Sequence, residues 1–81
     1  MKVISVPIEN IYVPVKRRST LNPKTVQVLA ESIMENGQQR PIHIRKDGAR
    51  YVLVEGFHRL EACKALGEDA ILAILVGARM Y

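Results

Sequence analysis

Gly56-Phe-His-Arg59 gathers a glycine, an imidazole and a guanidinium between an apolar run, Val52-Leu-Val54, and a helical run, Leu60-Glu-Ala-Cys-Lys-Ala-Leu66. A strand that stops at a glycine and restarts as a helix leaves the first N–H groups of that helix without intrahelical partners. Cations in the same turn sit at the positive end of the helix macrodipole, which is locally unfavourable unless an anion is held there. Free N–H groups, a histidine and a forked guanidinium together suit a phosphate. Singly, these residues mean little, since a glycine often serves only the backbone. In this strand–turn–helix setting Gly56, His58 and Arg59 are expected to contact phosphate, with Arg59 able to bind two oxygens at once. Glu55, just before the turn, is placed to hold Mg²⁺ or to act as a base, as His58 is. Paired with Arg59 or Lys64, Glu55 would instead be an ordinary strand-end carboxylate.

The elements around this turn can be read from punctuation and periodicity. Val3 to Val6 and Ile11 to Val15 are β-branched runs broken by Pro7 and Pro14, so they read as edge-type strands. Lys16-Arg17-Arg18-Ser19-Thr20 reads as a polar basic turn. Asn22-Pro23 opens a helix, with Asn22 as cap and Pro23 at the first helical position. Val26, Leu29, Ala30 and Ile33 give that helix one apolar face, and Asn36-Gly37 closes it. Pro41 to Arg45 and Tyr51 to Val54 form a hairpin about Asp47-Gly48. A second helix runs from about Phe57 to Leu66, with Gly67 beyond its end and Leu60, Ala62, Cys63 and Leu66 as its buried face. Ala70 to Val76 is wholly apolar, too short to span a membrane as a helix, and reads as a strand buried in the sheet. Glu61 and Lys64 read as an exposed helix face. His43 alternates with Ile42 and Ile44, and so faces solvent or a partner.

With 81 residues and 48% apolar content, the chain suits one small domain, residues 1–81. A chain this short buries only about 60% of the surface that its unfolded form exposes. Few aromatics, with no Trp, argue against a base-stacking surface. One Cys excludes an intramolecular disulfide, and no Cys/His/Asp cluster has metal-ligand spacing, so no metal site is expected. No segment resembles a signal peptide or membrane span, and the cytoplasm is the expected compartment. The net charge of +4 is compatible with nucleic acid, free nucleotide or an acidic partner and does not choose among them.

The order of these parts resembles the ParB/sulfiredoxin superfamily over nearly the whole chain, from Val3 to Val76. Leu29-Ala-Glu-Ser-Ile-Met-Glu-Asn-Gly-Gln-Gln-Arg-Pro-Ile42 is similar to the first box of ParB N-terminal domains, and Gly56-Phe-His-Arg-Leu-Glu-Ala62 takes the place of the second. The resemblance implies an α+β fold, a mixed β-sheet with two main helices packed against it. In partition ParB proteins the second box reads Gly-Glu-Arg-Arg and contacts CTP phosphates. In sulfiredoxins it reads Gly-Cys-His-Arg and cradles ATP phosphates, and relatives that phosphorylate free serine also carry Gly-x-His-Arg. The resemblance adds Lys24, Thr25 and Ser32 as phosphate contacts, and Arg17 or Arg18 reaching in from the basic turn. Lys16, Arg17 and Arg18 read either as an ordinary solvated turn, the commoner role of such a run, or as a contact to phosphate or DNA. Phe57 stands where sulfiredoxin has its reactive Cys, so sulfinic acid reduction is not expected. Cys63 lies further along, on the apolar face, and cannot substitute. Phe57 and His58 also replace the Glu and first Arg of the partition box.

The resemblance thus implies a domain binding ATP or CTP, with or without Mg²⁺, linked to plasmid or chromosome partition or DNA-associated regulation. Its partners would be the nucleotide, DNA or a DNA-binding protein, and a second copy of the chain, with no membrane. Two other functions use the same residues. One is a small phosphotransferase, ATPase or nuclease, which needs an in-line acceptor and a charge clamp. The other is an interaction domain with a relict site. Base-specific DNA reading is not expected, because no recognition helix is evident.

Overall fold

Asn22 begins the longest helix as its side chain dictates. In the computed structural model, which describes residues 2–77, its side chain accepts from the Lys24 and Thr25 N–H groups at the start of Pro23–Asn36. Pro23 fits the first turn, where its missing N–H is not needed. Gly37 ends the helix at φ 76. Further on, Ile42–Asp47 and Arg50–Glu55 pair antiparallel around Gly48, whose φ is 61. Phe57–Ala65 is the second long helix, with Gly67 at φ 79 just beyond it, and Ala70–Leu75 is the last strand.

The N-terminal quarter differs from expectation. Val3–Pro7 is a strand, followed by a 3-10 turn at Ile8–Asn10, and the next strand is only Ile11–Tyr12. The expected strand from Ile11 to Val15 stops there because Pro14 cannot donate to a ladder and Val15 begins a helical turn, Val15–Arg18. Lys16, Arg17 and Arg18 are therefore helical rather than an irregular turn. Arg17 N–H bonds the Pro14 carbonyl at 2.9 Å, and the Arg18 Nε donates to the Val13 carbonyl at 3.1 Å. In chain order the strands are β1 (3–7), β2 (11–12), β3 (42–47), β4 (50–55) and β5 (70–75), and the helices α1 (15–18), α2 (23–36) and α3 (57–65).

The five strands form one mixed sheet in the order β1-β5-β3-β4-β2. β5 pairs antiparallel with β1 and parallel with β3, while β2 lies parallel to β4. β1, which ends in Pro7, lies at an edge of the sheet, where a missing donor costs least. The core gathers Val6, Ile42, Ile44, Leu53, Leu60, Cys63, Ile71 and Ala73 between the sheet and α3. Each such Ile or Leu contributes about 1.5–3 kcal/mol by leaving water. Phe57 joins Leu60, Ala62 and Cys63 on the buried face of α3, whereas Leu66 is only half-buried. α2 packs on α3 and carries no fully buried residue. Among the described residues, no helix is long and apolar enough to cross a membrane.

Candidate functional site

Gly56 joins β4 to α3 in the left-handed conformation, φ 105 and ψ 31. Two constraints require glycine there. An L side chain is strained at that φ, and a Cβ would lie 2.6 Å from Ile42 Cγ2 and 3.0 Å from Ile42 Cβ. Ile42 is 1% exposed and has no room to withdraw. Glycine has no side chain to cap with, so α3 starts without a side-chain hydrogen bond to its first turn, and that turn holds no acidic residue. The Gly56 carbonyl accepts from Leu60 N–H at 2.9 Å, so the helix itself is well begun. Its opening N–H groups are left for a ligand or water.

Beside this turn lies a cavity of about 190 Å³ lined by Arg40, Pro41, His43, Glu55, Gly56 and Arg59. Among the described residues, none of the ion pairs engages Arg40 or Arg59. Glu55 meets neither Arg59 nor Lys64, the partners expected for it. Its Oε1 lies 3.7 Å from His43 Nδ1, and Lys64 instead bonds Glu61 at 3.2 Å. The cause is a bulge. The hairpin register pairs Asp47 with Arg50 and Ile44 with Leu53, then shifts so that His43 faces Glu55 rather than Val54. Val54, left without a cross-strand partner, is satisfied from elsewhere: the Arg17 guanidinium donates to its carbonyl. Arg17 thus reaches the end of β4 as a brace on the backbone.

His58 turns toward α2. Its Nε2 accepts from the Asn22 N–H at 3.0 Å, which fixes the neutral tautomer with the proton on Nδ1. Asn22 in turn caps α2 through its side chain. One imidazole therefore ties the two helix N-termini together. Lys24 and Thr25 sit exposed in the first turn of α2, and Ser32 is half-buried further along it. None of the three lines the cavity, and neither do Lys16, Arg17 or Arg18. Arg18 instead lies 5.6 Å from the centre of the Tyr12 ring, in a larger hollow of about 360 Å³ that Phe57 and Leu21 also line. Phe57 is 8% exposed and is a packing residue. Cys63 is 3% exposed, and burial first and then Glu68 push its thiol pKa up, with Arg59 opposing. Among the described residues, no cluster of His, Cys, Asp and Glu could hold a metal ion.

Sequence reasoning did not assign Arg40 or His43 to the site. Arg40 precedes a proline at the start of β3, and that position alone carries no sign of a cavity. His43 would have been paired with Val54 by hairpin counting, and only the bulge brings it to Glu55.

The five-stranded mixed sheet with its three helices matches the fold of sulfiredoxin and of ParB. Sulfiredoxin from Arabidopsis thaliana superposes with a TM-score of 0.86 at 28% identity, covering 96% of this chain and 88% of that one. The chromosome-partitioning protein ParB from Caulobacter crescentus, complexed with CTP-γ-S, superposes with a TM-score of 0.83 at 24% identity, covering 98% and 46%. The chain belongs to the ParB N-terminal domain family, whose model matches residues 1–79. Among curated relatives, the probable chromosome-partitioning protein ParB of Campylobacter jejuni is 37% identical over 62 residues, 76% of this chain. ParB of Myxococcus xanthus is 34% identical over 74 residues, 90% of this chain. The chain spans 22% and 25% of the length of these two relatives.

Proposed function

We propose that this chain is a ParB-type nucleotide-binding domain, taking CTP or ATP with its phosphates on the N-terminus of α3, and that it serves DNA partition or DNA-linked regulation. One observation carries this: α3 opens at a left-handed glycine with no side-chain cap, and Arg59, which among the described residues has no carboxylate partner, lines the cavity beside it. Bare N–H groups and a guanidinium are the donors a phosphate needs. His58 supports the site by joining the start of α2 to the start of α3, and it keeps its Nδ1 proton to donate. The cavity is small, which suits a phosphate chain rather than a base. Mg²⁺ would arrive with the nucleotide, since Glu55 is the one carboxylate among the residues lining the cavity.

The relationship to ParB supports CTP and DNA as partners. ParB of Caulobacter crescentus has been seen with CTP-γ-S and with the centromeric parS site. The test is an NMR titration of ¹⁵N-labelled protein with CTP, ATP and GTP, with and without Mg²⁺. The expected result is a saturable shift of the Phe57, His58 and Arg59 amides that weakens in Arg59→Ala. No shift at millimolar nucleotide, or unchanged affinity in Arg59→Ala, would overturn it.

A further inference from the structure

The Gln38 carboxamide makes three hydrogen bonds. Its Oε1 accepts from Leu72 N–H at 2.8 Å, and its Nε2 donates to the Leu72 carbonyl at 2.9 Å and to the Arg40 carbonyl at 3.0 Å. The β3–β5 ladder begins with Ile42 opposite Ala73, so Leu72 lies one residue beyond it. There the amide supplies the donor and acceptor that a strand residue would otherwise give. The same amide ties the peptide after Arg40 to β5. Pro41 then leads into Ile42, which abuts Gly56 at the floor of the turn. Arg40 is therefore anchored on one side by Gln38 and on the other by the core.

That anchoring has a consequence for charge. The Arg40 side chain lines the same cavity as Arg59, and among the described residues neither has a carboxylate partner. Two guanidiniums sharing one cavity repel each other unless an anion lies between them. The one carboxylate among the residues lining that cavity, Glu55, is 72% exposed and engaged with His43.

We propose that Arg40 is a second guanidinium ligand of the phosphate chain seated at α3, and that Gln38 is the positioning residue holding it there. This rests on the nucleotide reading above. The ligand class is a polyphosphate, nucleoside di- or triphosphate, whose charge both arginines share. Arg40 lies outside the Gly56–Arg59 turn and is supplied by a different element.

The test is calorimetric titration with inorganic tripolyphosphate, CTP and ATP, using the wild type, Arg59→Ala, Arg40→Ala, Gln38→Met and the Arg40→Ala/Gln38→Met double variant. Arg40→Ala is expected to weaken every polyphosphate about tenfold, the value of one lost charge-assisted contact. Lys46→Ala, at an exposed cation that does not line the cavity, should change affinity by less than about twofold. Gln38→Met should weaken binding in the presence of Arg40 and add nothing in the Arg40→Ala background, the coupling expected of a residue acting through another. Should Gln38→Met fail to fold, Gln38→Asn, one methylene short of spanning Leu72 and Arg40, serves in its place. Arg40→Ala within about twofold of wild type, while Arg59→Ala abolishes binding, would overturn this inference and leave the nucleotide reading standing. A full Gln38 effect in the Arg40→Ala background would reduce Gln38 to a structural role. No wild-type binding to any of the three would remove the nucleotide reading itself.

Discussion

Replacing Gly56 by Ala tests the central geometric claim, that this turn can be built only without a side chain. Two costs add. An Ala held in the left-handed region loses about 1–2 kcal/mol. Its Cβ would also sit 2.6 Å from Ile42 Cγ2, with Ile42 wedged in the core, and overpacking of that kind costs about 1–3 kcal/mol. Together the loss is about 2–5 kcal/mol, against a total stability of roughly 4–12 kcal/mol for a chain of this length. Gly67 is the internal control, because its φ is 79 but nothing lies within 4 Å of its virtual Cβ. Gly67→Ala should therefore lose only the backbone share, about 1–2 kcal/mol. Urea unfolding followed by circular dichroism gives both numbers, and an unchanged m-value keeps the comparison clean. In an Ile42→Ala background, measured with trimethylamine N-oxide so that every variant starts folded, the Gly56→Ala penalty should shrink by about 1 kcal/mol or more. A Gly56→Ala loss no larger than that of Gly67→Ala, or one undiminished by Ile42→Ala, would refute the steric account.

Asn22→Ala should cost about 1 kcal/mol by uncapping the Lys24 and Thr25 amides, while Asn22→Asp should stay near wild type; urea midpoints check both. His58→Phe removes the acceptor of the Asn22 N–H, so that amide should lose hydrogen-exchange protection and stability should fall by about 1 kcal/mol. Cys63 titrates in the opposite sense to a paired carboxylate. Its folded-state pKa is raised, so its contribution is whole below the ordinary thiol value and is lost as pH rises from there through the raised one. The urea midpoint of the wild type should therefore drop further between neutral and alkaline pH than that of Cys63→Ala; equal drops would contradict the burial argument.

What could be read from the residues was whatever local chemistry dictates. Asn22-Pro23 and Asn36-Gly37 bracket α2 because caps and proline act within one turn, and Asp47-Gly48 marks the hairpin for the same reason. The Gly56–Arg59 turn was visible because its unusual charges sit together in sequence. The short α1 was not, since a helix of four residues has little backbone bonding of its own, and the Arg17 bond that ties it down reaches Val54, 37 residues away. The bulge at Val54 cannot be counted from a turn, and it alone decides that Glu55 meets His43. Arg40 lines the cavity next to a Gln38 side chain that bridges to Leu72, 34 residues away. Local propensity carries no information about such a contact.

The sheet order has a consequence for how the chain is made. β5 lies between β1 and β3, so the first strand synthesised has no neighbour except the last. Until residues 70–75 leave the ribosome, β1 has nothing to pair with and one edge of β3 stays open. The hairpin and α3 can assemble early, from contacts close in sequence. Closure of the sheet must wait for a strand more than sixty residues downstream of β1, and such non-local pairing is slow. Translation order thus makes β5 the keystone, and a nascent chain stalled before Ala70 carries an open strand edge able to pair with a neighbour.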